Sequence, residues 1–287
     1  MKRSLLFIVL LLAFLVWTFP HRRVVEGLVA RRIEGVPVEV TMGAVRPALW
    51  PPGYTVSDVR LRSRDVSVSL DSVRLDLWFG SGAHARACGG TIDGTFSNAA
   101  GGKPGNIQVR FDALNLSSCV QGSPISITGA FGGQLQLEEL GDGGGGSLLG
   151  RTAGRGSLAV EGTSGTLSGY LPTAPNATGE SQAAKPIGSW EFARIALHAR
   201  LEHGEILVED ASADAEGVHW ELSGGRLASG IAGRTRISAE LKARTVDDTP
   251  RAKAMLGILP RAGEDAEGWR RYRISGTLDS PKIVGLK

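Results

Sequence analysis

The chain has 287 residues, of which 42% are hydrophobic, 21% charged and only 6% aromatic. Its formal net charge of +3 is too small to argue for nucleic-acid binding, and much of the excess sits in short clusters beside an apolar N-terminal run. Forty glycines, about twice the usual share of roughly 7%, point with the many β-branched residues to short strands and tight turns.

Met1, Lys2 and Arg3 precede an uncharged run from Ser4 to Phe19. As a helix it is about 24 Å long, a little short of a ~30 Å hydrocarbon core. No A-x-A-like cleavage site follows, and Trp17, Phe19 and Pro20 are poor flanks for one. Residues 1–20 are therefore read as a cytoplasmic tip and transmembrane signal-anchor, a cleaved signal peptide being the alternative. Lys2 and Arg3 on one side and His21, Arg22 and Arg23 on the other leave the orientation open. Residues 21–35 place Val24, Val25, Leu28, Val29 and Ile33 at helical spacing before Gly35. This predicts a juxtamembrane amphipathic helix that either contacts lipid or caps the following domain.

From residue 36 to 287 the grammar is β. Val36, Val38, Val40 and Met42 alternate, and so do Val66, Val68 and Leu70. The next set, Val73, Leu75 and Leu77, is out of phase, which predicts a bulge or turn near Asp71 and Ser72. Ile92 and Phe96 follow, then Ile107, Val109 and Phe111 ahead of Leu114 and Leu116, then Ile125, Ile127 and Phe131 ahead of Leu135 and Leu137. About a dozen such segments at this spacing imply an antiparallel sheet. One internal helix is expected, capped by Asp248 or Thr249, opened by Pro250, striped by Ala254, Met255, Ile258 and Leu259, and stopped by Pro260. Residues 141–156 and 172–186 are low in complexity and read as mobile loops. The end, "RYRISGTLDSPKI", reads as one last strand stopped by Pro281. Val66, Val68, Leu70, Ile92, Val109, Ile127, Tyr272, Ile274 and Leu278 are expected to share the apolar face of the sheet.

No catalytic constellation is legible. The five histidines, His21, His84, His198, His203 and His219, lack HExxH spacing, and there is no GxSxG and no GxxxxGK[ST]. Gly141, Gly143 and Gly146 match GxGxxG only inside a polyglycine run with no strand–helix context. No catalytic residue, metal or cofactor is expected. Cys88 and Cys119 lie beside candidate strands. An exported body would allow a disulfide between them, contributing roughly 3–4 kcal/mol; two buried thiols are the alternative.

The phrases "VSVSLDSVRLDLWFG", "CGGTIDGTF", "LEHGEILVEDASADAEGVHWELSGGRLASG" and "AMLGILPRAGEDAEGWRRYRISGTLDSPKI" together resemble protein N of the bacterial type II (general) secretion pathway, and more broadly the AsmA-like proteins. The resemblance covers most of the chain but rests on strand–turn phrases and transfers no functional residue. It implies a single-pass inner-membrane protein with residues 36–287 in the periplasm. It also implies a long curved antiparallel sheet with an apolar trough or groove. The function implied is a non-enzymatic component of the type II secretion system, with other secretion components and the inner membrane as partners. An AsmA-like lipid-binding or lipid-transport module, with phospholipid as partner, is the alternative.

Overall fold

The computed structural model describes residues 21–23, 25–27, 39–48, 52–63, 66–76, 81–97, 105–121, 125–140, 155–171, 185–202, 205–229, 235–257, 259–277 and 280–287. The expected signal-anchor and Leu278 lie outside these residues, as do most positions of the two expected loops. Among the described residues no helix is long and apolar enough to cross a membrane.

The described residues form a long, open antiparallel sheet. β1 (Glu39–Thr41) and β2 (Val45–Ala48) pair with successive halves of β3 (Gly53–Ser63), which pairs with β4 (Val66–Asp76). β5 (Ser81–Ala87), β6 (Gly90–Ser97) and β7 (Gly105–Leu114) continue as a meander. The chain then makes one helical turn, α1 (Leu116–Cys119), and two short strands, β8 (Val120–Gln121) and β9 (Ile125–Ile127). It rejoins the sheet at β10 (Ala130–Leu140), which pairs with β7. β11 (Arg155–Leu171), β12 (Lys185–Glu202), β13 (Glu205–Ala215), β14 (Val218–Ser229) and β15 (Thr235–Thr245) follow in order. After α2 (Pro250–Gly257) the sheet ends in β16 (Arg270–Thr277) and β17 (Ser280–Gly285). β8 and β9 pair with the ends of β4 and β11 that the shorter strands between them leave unpaired.

The sheet is creased along a line of bulges. Val56 and Val59 both face the apolar side, so the register of β3 with β4 skips Asp58 and Asp71 together. The register of β4 with β5 shifts between Leu70 and Ser72, where the phase change in the sequence required it. The same device recurs between Phe111 and Leu114, where Ala113 has φ 53°, and opposite it between Phe131 and Gly133. It recurs again where Ser164 (φ 44°) and Ala193 drop out together. Left-handed backbone costs a non-glycine residue energy, and it is tolerated here because the flanking ladder fixes it.

Several expectations change. "RYRISGTLDSPKI" is not one strand but a hairpin, with Thr277 paired to Ser280. Pro281 stands opposite Gly276 within that ladder. Pro281 therefore lies within β17 and does not end the sheet. Arg155 and Gly156 open β11, and Lys185 and Pro186 open β12, so the strands run into both segments expected as loops. α2 starts at Pro250 with Thr249 as cap: the Ala252 amide donates to Thr249 Oγ1 at 3.1 Å. Its buried stripe is Ala252, Met255 and Leu256, with Leu259 half-buried beyond the helix, and Ala254 is exposed. Starting the helical period at residue 252 rotates Ala254 to the outer side. α1 was not legible as a helix. Asn115 builds it, its carbonyl accepting from the Ser118 amide (3.1 Å) and hydroxyl (2.7 Å), and its Oδ1 accepting from Ser117 (2.8 Å).

Candidate functional site

Ladder partners in an antiparallel sheet point to the same side, so the register alone defines the two faces. Val56, Val73, Ala85, Ile92, Phe111, Gly133, Val160, Leu197, Ala211, Leu222, Leu241 and Tyr272 stand opposite one another in unbroken succession from β3 to β16. The adjacent row is Arg74, His84, Asp93, Arg110, Gln134, Ala159, His198, Asp210, Ser223, Glu240 and Arg273. One face of the sheet is thus apolar across its width and the other is polar and charged.

The apolar face is covered at its margins and only partly covered at its centre, where Leu137, Ala199 and Leu201 are buried. At the β3 side, Val25 from the helical residues 25–27 is buried against Val56 and Val59. This part of the expected juxtamembrane helix caps the sheet. At the β16 side, α2 lays Ala252, Met255 and Leu256 against Val218, Ala243 and Tyr272. Along one end, Cys88, Cys119, Ala87, Leu114, Phe131 and Phe192 form a third cluster, in which the rings of Phe131 and Phe192 lie 6.1 Å apart. Between these covers, Val109, Leu135, Leu158, Val160, Leu197 and Leu222 are only half-buried.

The residues expected on this face fall into separate groups. Val68, Leu70, Ile92 and Ile127 pack around the disulfide cluster, while Tyr272 belongs to the cluster under α2. Ile274 is buried between Ala239 and Ile283 in the ladder, and Val109 stands between Gly94 and Leu135. Val66 pairs with Ser63 at the end of β4. Cys88 and Cys119 are bonded, with Cα atoms 4.9 Å apart. Cys88 (φ 56°) and Gly89 (φ 77°) form the two-residue turn of the β5–β6 hairpin, and both positive values fit a type I′ turn.

The polar face carries cross-strand ion pairs. His84 lies between Asp93 (2.5 Å) and Asp76 (3.4 Å), His198 pairs with Asp210 (2.9 Å), and His219 contacts Asp214 and Glu221. Trp269 packs edge-on to His219 and lies under the Arg244 guanidinium, 4.8 Å from the ring centre. Among the described residues no group of three or more His, Cys, Asp or Glu side chains is placed to hold a metal. Asp265 Oδ1 accepts from the amides of Trp269 (2.9 Å) and Glu267 (3.1 Å), and those bonds together with Arg271 hold its carboxyl below the usual aspartate range. Burial pushes the Tyr272 hydroxyl up, with Arg270 acting against it.

Two of the cavities lie on opposite sides of the sheet. One, of about 850 Å³, lies at the end of β11–β13 between Thr128, Phe192, Glu216 and Val246. Its wall is tied by the Thr128 and Thr166 hydroxyls (2.7 Å) and by the Glu191 amide donating to Glu216 Oε1 (2.9 Å). Arg251 of α2 also pairs with Glu216, at 3.3 Å. The other, of about 550 Å³, opens on the polar side of β1, β3, β4 and β8. Neither was legible in the sequence, because each wall takes in residues from strands distant along the chain, in the smaller cavity Gln121.

The class these observations define is an open, bulge-creased antiparallel sheet with one apolar and one charged face. No family model, curated protein or solved structure matches the chain.

Proposed function

We propose that the chain is a non-enzymatic binding module whose creased sheet bends into a trough, the apolar face sheltering an acyl chain or similarly extended apolar ligand. The observation that carries this reading is the apolar row from Val56 to Tyr272, covered at both margins by helical segments yet only partly buried between them. A sheet that needed only to bury its own face would have its central residues covered too. Each methylene taken from water is worth about 0.8 kcal/mol, so ten of them supply roughly 8 kcal/mol before ordering costs. The test uses the full chain in detergent micelles, with a fluorescent fatty acid as probe. Uptake is saturable, and Leu197→Glu at the centre of the row weakens it at least tenfold. A delipidated, folded protein that never takes up the probe would sink the proposal.

The second reading is an inner-membrane-anchored, periplasmic component of the type II secretion system, with other secretion proteins as partners. It rests on the resemblance of the four sequence phrases. It is favoured by β17, whose Val284 is 56% exposed on the final strand and offers a place for a partner strand to add. Cross-linking in cells from a photoreactive residue at Val284 should capture a secretion-system component; capture of none would remove this reading.

A further inference from the structure

We propose that the polar side of the sheet holds a second binding site, for the phosphate group of a phosphoester, built by Arg60 and Arg62 of β3. This inference stands apart from the apolar-face reading, since it uses the opposite side of the sheet and either can fail alone.

The register assembles the site. Thr41, Arg60 and Ser69 face one another across β1, β3 and β4, and Glu39, Arg62, Ser67 and Gln121 form the next row, with β8 closing the wall. All seven line one cavity of about 550 Å³. Arg60 and Arg62 are alternate residues of one strand, so their stems leave the sheet about 7 Å apart on the same side. Long side chains with that separation can converge on one group.

Two guanidinium groups without a carboxylate partner line this one cavity. Some arginines of the polar face, such as Arg74, Arg194, Arg200 and Arg226, pair with carboxylates, whereas others, such as Arg110 and Arg273, have no ion pair among the described residues. Arg60 and Arg62 have no hydrogen-bond or ion-pair partner among the described residues. Glu39 stands across from Arg62 in the ladder without forming an ion pair, and among the described residues it is the only carboxylate in the wall. The hydroxyls of Thr41, Ser67 and Ser69 and the amide of Gln121 add neutral donors around the two cations. Two planar forks with hydroxyls beside them match the several acceptor oxygens of a phosphate better than the two of a carboxylate. The cavity is also larger than a bare phosphate needs and leaves room for the alcohol it esterifies.

The source of the phosphate is either a lipid headgroup or a soluble metabolite, and one experiment separates them. The full chain in nonionic detergent micelles is titrated calorimetrically with inorganic phosphate, with glycerol 3-phosphate, and with micelles carrying phosphatidylglycerol against micelles carrying diacylglycerol. Saturable binding is expected in at least one phosphate arm, weakened about tenfold by Arg60→Gln or Arg62→Gln and by added salt. Glu39→Gln tightens it, because the opposing charge is removed. Binding of the phosphatidylglycerol micelles alone assigns a headgroup, and binding of the soluble esters assigns a metabolite; both support the site. Because the side chains replaced are exposed and unpaired, the variants should melt with wild-type midpoints. No saturable binding in any arm overturns the proposal, as does binding that neither arginine variant weakens.

Discussion

Breaking the Cys88–Cys119 bond should cost this sheet several degrees of thermal stability. The bond closes a loop with a sequence separation of 31. In the chain-entropy model a loop of that length is worth about 3.7 kcal/mol. A β body of this size shifts by about 2 °C per kcal/mol, so the midpoint should fall by about 7 °C. The structure also says where the loss begins. Cys119 precedes β8 and Cys88 sits in the β5–β6 turn, so the bond clamps the segment that crosses from β7 to β9. The assay is a thermal melt of the full chain in detergent, with and without reductant, beside the Cys88→Ser/Cys119→Ser variant. Reductant should lower the wild-type midpoint and leave that of the variant alone. A wild-type protein with two free thiols, verified by mass, that melts within about 1 °C of the oxidised form would refute the reasoning.

Three other expectations follow from single positions. A Cβ on Gly165 would lie 2.0 Å from the Thr128 carbonyl oxygen and 2.4 Å from Phe192, so Gly165→Ala should destabilise by about 2–3 kcal/mol in denaturant melts, whereas Gly257→Ala meets nothing within 4 Å and should not. Thr249→Ala removes the α2 cap bond and should cost about 1 kcal/mol, read by the same melts, with Thr249→Asp restoring most of it. Because the folded-state pKa of Asp265 is depressed, its contribution is present above the ordinary aspartate range and is lost as pH falls through the lower folded value. Midpoints measured across acid pH should therefore fall less steeply for Asp265→Asn than for wild type.

Much of the fold was legible because alternation is a local signal. Leu70 and Val73 cannot share a face without an extra residue between them, so the bulge at Asp71–Ser72 could be read directly. The Ser164–Ala193 bulge could not, since Gly162 and Gly165 carry no side chain to betray a change of phase. Tyr272, Ile274 and Leu278 alternate as one strand would, and only the register shows the chain turning back after Thr277. Site-level features were harder for the same reason. The disulfide involves only two cysteines, which left one possible intrachain pairing. Arg60 and Arg62, by contrast, acquire meaning only from the register that sets Ser69 and Ser67 across from them and brings Gln121, from a strand far along the chain, beside Ser67.

The crease has a consequence for how such a chain can change length. In plain alternation, losing one residue turns everything beyond it inside out. At the crease the reverse holds. Deleting Asp58 would leave Val56 and Val59 on the same face in ordinary alternation, as deleting Ala113 would for Phe111 and Leu114, or Ala193 for Phe192 and Ile195. Each deletion would remove a bend and keep the sidedness. Curvature and the division between oily and charged surfaces are therefore written in different residues, and either can drift while the other is kept.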